Sequence, residues 1–255
     1  MSGDVKVWLR ALGTGPAFWL AMFAASAFGT NLGDLWAGRL GLPGPVGFGS
    51  LVAVCALAIW GDRRVGSRTE FAYWVAIVVL RAAATNVADF LIEALRLGFV
   101  PVAAGLAAVA LAAGSRTRAG LAGRQGASPV IDGWYWTAMF VAGVFGTVAG
   151  DLMNRTVGVL ASAAALTALL ALVLLVRARW FPGLMLSYWV AVLAERTAGT
   201  PVGDGLASRN GAGLGLPVAT ACTAALFAAA LLWRERGRRV APSRRRDEPV
   251  APWSG

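Results

Sequence analysis

Four aspartates recur at one depth in four apolar segments of the sequence. They are Asp34, Asp89, Asp151 and Asp204. Each lies 15 residues after a tryptophan and four residues after a threonine; the threonines are Thr30, Thr85, Thr147 and Thr200. An ionised side chain at the centre of a bilayer costs roughly 2.5–3.5 kcal/mol on insertion scales. Because a lipid-facing surface does not tolerate four such residues at matched positions, they predict a functional site.

The charges around these aspartates do not balance. Arg81 and Arg196 each stand eight residues before an aspartate, and Glu195 adds a fifth carboxylate within an apolar segment. With every group ionised, these side chains leave a charge of −3. Protons, a bound cation or a water-filled cavity would each resolve that deficit, and all three belong to transport chemistry.

The polar groups beside the aspartates are hard oxygen ligands. Threonine hydroxyls and the amides of Asn31 and Asn86 accompany the carboxylates, a set that suits Mg, Mn, Ca or Na. The sequence has no histidine and only two isolated cysteines, which argues against a zinc or copper(I) site. We therefore predict a cation pathway in which the aspartates, threonines, asparagines and Glu195 bind an ion or carry protons. The four aspartates are the candidate metal ligands, and Arg81 and Arg196 are internal counter-charges.

Composition places the chain in a membrane. Of 255 residues, 58% are hydrophobic and 14% are charged, whereas a soluble protein carries roughly 25% charged residues. Apolar stretches fall at 16–36, 46–60, 71–92, 99–114, 134–153, 158–176, 184–206 and 213–233. The sequence therefore predicts an all-α, polytopic membrane protein with about eight transmembrane helices, of which the second and fourth are short.

Lysine and arginine positions predict the orientation. Seventeen lie in the N-terminal segment, the alternate loops and the C-terminal tail, and four lie in the opposite loops. By the positive-inside rule both termini are cytoplasmic. This bias also accounts for the net charge of +10 without a nucleic-acid partner.

Internal repetition divides the chain into four two-helix repeats. Repeats one and three resemble each other most, as do repeats two and four, which share the arginine. We predict two parallel, pseudo-symmetric halves, because each half has an even number of helices. The predicted segments are 1–15 (cytoplasmic), 16–115 (first half), 116–133 (cytoplasmic linker), 134–233 (second half) and 234–255 (basic, disordered tail).

The repeats carry a family resemblance. An aromatic residue before each tryptophan, the phrase Thr-x-x-Gly-Asp and the run Leu40-Gly41-Leu42 resemble a bacterial family of uncharacterised membrane-anchored proteins. That family is defined by a short tandem membrane repeat of unknown function. The resemblance covers nearly all of residues 16–233, with departures at Ala88 and Pro201. It implies a multi-span protein of the bacterial cytoplasmic membrane and no particular activity.

Helical geometry groups the motif residues on one face. The arginine, threonine and aspartate of repeats two and four are spaced by four, so they share a stripe. Glycines beside the stripe allow close helix approach, so we expect the motif helices to face one another with the plainer helices outside. At about 1.5 Å per residue, the aspartates lie about 22 Å from tryptophans placed at the cytoplasmic interface.

Three functions remain open at this stage. The first is a transporter or exchanger of a small cation, such as manganese, magnesium, Na⁺ or H⁺. The second is a carrier or sensor of a small anionic organic molecule that uses Arg81 and Arg196. The third is a scaffold in which Arg81 pairs with Asp151 or Asp34 and Arg196 pairs with Glu195. No enzymatic motif, catalytic residue or cofactor is predicted. The predicted partners are the lipid bilayer and a small cation or proton, and a homo-oligomer is an open alternative.

Overall fold

The computed structural model describes residues 13–39, 44–65, 70–120 and 128–240. Within these residues the chain forms eight α-helices and one isolated antiparallel bridge between Ala119 and Pro129. The helices are α1 (Pro16–Asp34), α2 (Gly44–Val65), α3 (Phe71–Asp89), α4 (Phe99–Ser115), α5 (Gly133–Val157), α6 (Val159–Trp180), α7 (Met185–Ala207) and α8 (Leu216–Val240). The all-α prediction is confirmed for this part of the chain. Helix α8 includes the first residues of the segment 234–255, and the rest of that segment lies outside the described residues.

Local sequence signals account for several helix ends. Pro16 lies in the first turn of α1. Backbone N–H groups in a first turn have no partner within the helix, so the N–H that proline lacks costs no hydrogen bond there. Asp132 caps α5 by accepting a hydrogen bond from the backbone N–H of Tyr135 at 2.9 Å. Gly158 separates α5 from α6 with a φ of 86°, a conformation that glycine adopts without a Cβ clash. Pro201 removes one backbone donor inside α7, yet the helix continues past it.

Helices α1, α3, α5 and α7 form a closed inner ring. Each contacts the next in that order, and α7 contacts α1. Glycines permit this close approach. A Cβ added to Gly33 of α1 would lie 2.8 Å from the carbonyl oxygen of Ala82 in α3. One added to Gly203 of α7 would lie 3.0 Å from the carbonyl oxygen of Ala27 in α1. The expected role of the small residues beside the polar stripe is therefore confirmed.

The other four helices form an outer layer that follows a cyclic rule. Each packs mainly on the inner helix of the next repeat: α2 on α3, α4 on α5, α6 on α7, and α8 on α1. Helix α4 of the first half thus covers an inner helix of the second half, and α8 of the second half covers an inner helix of the first. Motif helices lie inside and plainer helices outside, as the sequence predicted.

The four inner helices run in the same direction. Their N-terminal aromatic residues meet at one end, where the ring centroids of Tyr73 and Tyr135 are 6.4 Å apart and those of Phe18 and Tyr188 are 6.5 Å apart. Their aspartates meet at the other end, where Asp34 is within electrostatic range of the other three carboxylates. We call these the tryptophan end and the aspartate end.

Four helical segments of the described chain are long and apolar enough to cross a membrane. They are Phe71–Ala94, Gly133–Val157, Val159–Trp180 and Leu216–Gly237. Helix α4 is apolar but has only 17 residues. Helices α1 and α7 carry many polar residues, and these face neighbouring helices rather than the molecular surface. The apolar helices indicate a membrane protein.

Candidate functional site

Five layers of side chains are stacked within the inner ring. They lie at 16, 12, 8, 4 and 0 residues before the aspartate of each repeat, on the i±4 row that packs between helices. We call them the aromatic, aliphatic, arginine, threonine and aspartate layers. The first three consist of Phe18, Tyr73, Tyr135 and Tyr188; Met22, Ile77, Met139 and Val192; and Ser26, Arg81, Gly143 and Arg196. The first four layers are buried throughout, and only the aspartate layer is half-buried.

The aromatic layer closes the tryptophan end. The hydroxyl of Tyr135 is 2.7 Å from that of Tyr73 and 3.4 Å from that of Tyr188. Each motif tryptophan packs on the layer residue of the preceding repeat, with ring centroids 5.5–5.9 Å apart. The pairs are Trp19 with Tyr188, Trp74 with Phe18, Trp136 with Tyr73, and Trp189 with Tyr135. These contacts form a continuous aromatic belt inside the protein.

Three of the four motif tryptophans are buried in this belt rather than exposed at the molecular surface, and Trp136 is partly buried. Trp19, Trp74 and Trp189 are at most 7% exposed, whereas Trp180 outside the motif is 64% exposed. The physical reason is that each tryptophan follows a layer residue directly and so points toward the neighbouring inner helix. The signal was present in the sequence, because an aromatic pair at the same place in four repeats is typical of a packed layer.

Arg81 lies in the axis of the ring and is saturated with hydrogen bonds. Its Nη1 donates to the carbonyl of Gly143 at 2.8 Å and to Thr147 Oγ1 at 2.6 Å. Its Nη2 donates to Thr200 Oγ1 at 2.6 Å and to the carbonyl of Arg196 at 3.4 Å. Its Nε donates to Ser26 Oγ at 3.2 Å. All five bonds go to neutral acceptors on three other helices, so the guanidinium ties the ring together without an ion pair.

Arg196 has a different environment, although it stands at the equivalent place in repeat four. Its Nη2 donates to Met139 Sδ at 3.1 Å, in the aliphatic layer. Its Nε lies 3.4 Å from Glu195 Oε2, so the two form a buried ion pair. Within the described residues, Arg196 Nε and Nη1 and both Glu195 oxygens make no hydrogen bond. Burying polar atoms without hydrogen bonds costs free energy, so this pair is a destabilising element of the core.

Only one of the two ion pairs that the scaffold interpretation predicts is present. The pairing of Arg196 with Glu195 is present. Arg81 pairs with neither Asp151 nor Asp34, since the ion pairs among the described residues are Arg196–Glu195 and Arg234–Glu70. Arg81 therefore leaves the aspartates without a direct cationic partner.

The threonine layer bridges the arginine and aspartate layers. The hydroxyls of Thr30, Thr85 and Thr147 donate to the carbonyl four residues earlier, at 3.0, 3.3 and 3.5 Å. The hydroxyl of Thr200 donates to the carbonyl of Gly146 in α5 at 3.2 Å, and the carbonyl of Arg196 lies 3.5 Å away. The lone pairs of Thr147 and Thr200 accept from Arg81. Those of Thr30 and Thr85 accept no hydrogen bond from the described residues.

The aspartate layer gathers four carboxylates at one end of the ring. Asp34 is within electrostatic range of the other three, and Asp151 is within range of Arg81. Asp204 Oδ2 accepts a hydrogen bond of 2.7 Å from Asn154 Nδ2, and an open cleft between α5, α6 and α7 reaches this pair. No three acidic side chains among the described residues are close enough to enclose a metal ion. The layer is therefore an acidic ring rather than a compact metal centre.

The two predicted asparagines have different roles. Asn86 donates to the carbonyls of Ala82 at 3.0 Å and Gly33 at 3.4 Å, so it links α3 to α1. Asn31 is fully buried, and neither atom of its amide is hydrogen-bonded within the described residues. The sequence did not distinguish the two, because the difference arises from their neighbours on other helices.

The backbone beyond the aspartates differs between the two halves. Helices α1 and α3 continue directly into single π-helical turns, Leu35–Arg39 and Phe90–Ala94. Helices α5 and α7 continue as α-helix beyond Asp151 and Asp204. Such turns occur often at functional sites. The aspartates are thus matched in position, but the backbone that follows them is π-helical in the first half and α-helical in the second, so it departs from the symmetry of the two halves.

Sequence reasoning did not identify several groups of this site. Ser26 and the carbonyl of Gly143 bind Arg81, and Asn154 binds Asp204. Ser26 lies on the stripe that the sequence predicts, eight residues before an aspartate as Arg81 does, but its bond to Arg81 was not predicted. A backbone carbonyl and an asparagine three residues past an aspartate carry no comparable signal.

One repeat matches a known family. Residues 187–239 match the model of a family described as Repeat of Unknown Function (DUF347). The matched residues include most of α7 and α8, that is, one inner helix and the outer helix that follows it. No curated protein and no solved structure matches the chain. The fourth repeat thus resembles a repeat family of unknown function, as the sequence predicted.

Proposed function

We propose that this protein crosses the bacterial cytoplasmic membrane with all eight helices and transports a small cation or protons along the axis of the inner ring. The supporting observation is the acidic ring: four half-buried carboxylates gather at one end of the axis, and one of them is bonded to a neutral amide. Rings of acidic side chains select cations at the mouths of membrane pathways.

The placement of positive charge supports a cation over an anion. Arg81 uses every donor of its guanidinium on protein acceptors, so none is left for an anionic substrate. Arg196 is buried beside Glu195 and Met139, away from the aspartate end. The carboxylates, in contrast, lie where the ring begins to open. A carrier of organic anions is therefore the weaker proposal.

The chemistry of the ring suits a hydrated ion or a proton. Because the described carboxylates do not enclose a metal ion, we expect them to attract and concentrate a cation that keeps part of its water shell. The oxygen-only surroundings suit Na⁺, Mg²⁺ or Mn²⁺. With no histidine in the chain, a proton relay would run on carboxylates.

The conformation described above is closed beneath the acidic ring. Arg81 fills the axis in the arginine layer, and the buried tyrosines fill it at the tryptophan end. The excess of lysine and arginine in alternate loops orients the aspartate end toward the outside. An ion would thus enter from outside and bind at the acidic ring. It would pass further along the axis only after the arginine and aromatic layers rearrange.

The test is flux through the purified protein in liposomes. Wild-type protein should carry at least one of Mn²⁺, Mg²⁺, Na⁺ or H⁺ down an imposed gradient. The double variant Asp34→Asn with Asp151→Asn should abolish that flux and still accumulate in the membrane. The matched control is Asp132→Asn, because asparagine also caps a helix and this residue lies at the opposite end of α5.

Three results would contradict the proposal. Wild-type protein could carry none of the four ions, or the double variant could carry them as fast as wild type. If the double variant fails to accumulate while Asp132→Asn accumulates normally, the aspartates serve as a scaffold instead.

A further inference from the structure

We propose that Arg81 and Arg196 alternate in the axis of the ring, each displacing the other between two equivalent guanidinium sites. The inference rests on the proposed transport for its functional test, and its structural test is independent of transport. The two arginines occupy the same position in repeats two and four, on opposite helices of the ring.

The first site is the one that Arg81 occupies. It is built by α5 and α7, the two inner helices that follow the helix of Arg81 around the ring. Its acceptors are the carbonyls of Gly143 and Arg196 and the hydroxyls of Thr147 and Thr200. The Thr147 hydroxyl also donates to the carbonyl of Gly143, and the Thr200 hydroxyl donates to the carbonyl of Gly146. We call it the α5–α7 guanidinium site.

A second site with the same construction lies on α1 and α3. These are the inner helices that follow α7, because the ring is closed. The corresponding acceptors are the carbonyls of Ser26 and Arg81 and the hydroxyls of Thr30 and Thr85. Both hydroxyls are at most 2% exposed and donate to those same carbonyls, so their lone pairs are free for a guanidinium. We call this the α1–α3 guanidinium site.

Arg196 is poorly satisfied where it now lies. Arg81 makes five hydrogen bonds, whereas Arg196 makes one, to a methionine sulfur. Its Nε and Nη1 are buried and have no hydrogen-bond partner within the described residues. The ion pair with Glu195 holds its Nε, but the buried Nη1 has no acceptor within the described residues, so Arg196 has a physical reason to move to a site that offers four oxygen acceptors.

Both guanidinium sites open on one axis, so only one arginine can occupy it at a time. Two guanidinium groups side by side in a buried ring would repel each other. Glu195 explains why Arg81 holds the axis in the conformation described here. The residue at the equivalent place before Arg81 is Leu80, so only Arg196 has an adjacent carboxylate that holds it toward the aliphatic layer.

The exchange would change which helices are tied together. In the present conformation Arg81 ties α3 to α5 and α7, and it also bonds to Ser26 of α1. After exchange Arg196 would tie α7 to α1 and α3, which leaves the α5–α7 interface without its bridging guanidinium. The ring would then have two conformations: one in which a guanidinium bridges α5 and α7, and one in which a guanidinium bridges α1 and α3. Alternating access requires two such conformations.

The structural test is to determine the structure of the double variant Thr147→Val with Thr200→Val. The α5–α7 guanidinium site then loses two hydroxyl acceptors, and Arg196 should occupy the α1–α3 guanidinium site. Glu195→Leu provides a second route if that variant does not fold, since it frees Arg196 and reproduces the residue before Arg81. If Arg196 stays against Met139 in whichever of these variants folds, the exchange does not occur.

The functional test is the double variant Thr30→Val with Thr85→Val. Neither threonine contacts the guanidinium of Arg81, although the Thr85 hydroxyl donates to the Arg81 carbonyl at 3.3 Å, so a purely structural role for this guanidinium predicts unchanged flux. Alternation predicts that flux falls about tenfold or more, which is the loss expected when hydrogen bonds to a charged group are removed from one state. Unchanged flux with a wild-type resting structure would overturn the exchange. An absence of flux in wild type would overturn the proposed function and leave the structural test to decide the exchange.

Discussion

Replacing Gly146 by alanine would test the close packing on which the inner ring depends. A Cβ at this position would lie 2.5 Å from the carbonyl carbon of Arg196 and 2.6 Å from its Cβ and its carbonyl oxygen. Carbon atoms normally approach to about 3.5–4.0 Å, so α5 and α7 would have to separate by about 1 Å. The contacted atoms belong to backbone or sit next to it, and no change of rotamer removes them.

The same separation would disturb Arg81, which bonds to both helices. Its bonds to Thr147 and Thr200 are each 2.6 Å long, and a shift of about 1 Å would stretch at least one of them beyond a good hydrogen bond. Overpacking a core costs about 1–3 kcal/mol. Alanine gains at most about 1 kcal/mol from helix propensity, so the net effect is destabilising. We expect the free energy of unfolding to fall by about 1–2 kcal/mol.

The assay is reversible unfolding in detergent, followed by tryptophan fluorescence. Gly105→Ala is the matched control, because Gly105 lies on the exposed side of α4 and nothing lies within 4 Å of the added Cβ. That variant should be as stable as wild type or slightly more stable. If Gly146→Ala unfolds at the same denaturant concentration as Gly105→Ala, the inner ring is not packed as described.

Two more predictions follow from the ring. Residues 1–120 and 128–255, expressed as separate chains, should not fold as monomers and should assemble when co-expressed, because the first inner helix of each half is covered by an outer helix of the other; a half that folds as a monomer would contradict the cyclic packing. Tyr135→Phe should lower the free energy of unfolding by about 1 kcal/mol, since its hydroxyl contacts two other tyrosine hydroxyls and Phe18 shows that the ring position accepts phenylalanine. Tyr188→Phe, which loses only the 3.4 Å contact, should cost less, and equal losses would argue against this hydroxyl chain.

The positions of the layers could be predicted from the sequence, because spacing alone determines them. The threonines and aspartates share a four-residue spacing in every repeat, which is enough to place them on one stripe of a helix. The glycines beside that stripe indicated which face meets the neighbouring helices. Both inferences depend on local periodicity, and the structure agrees with them.

The partners of each side chain could not be predicted in the same way. Arg81 and Arg196 occupy the same position of the motif, yet one makes five hydrogen bonds and the other makes one. The difference depends on which arginine enters an axis that holds only one of them, and on Glu195 beside Arg196. Competition between distant residues for one space leaves no pattern in a single sequence.

The two π-helical turns could not be predicted from the sequence either. They follow Asp34 and Asp89 in the first half only, although all four repeats carry closely similar motifs. A change of one residue in helical register depends on the packing of the whole turn, and local propensity does not encode it.

The exchange of outer helices between the halves bears on how such a chain could arise. A chain of two repeats would leave the face of its first inner helix uncovered and its last outer helix without a surface to cover. In a homodimer of two identical copies, the last outer helix of each copy would cover the first inner helix of the other. The four inner helices would then form the same ring. Joining the copies in one polypeptide makes that assembly independent of protein concentration. It also frees the two copies to diverge, so that one position holds Leu80 and its counterpart holds Glu195.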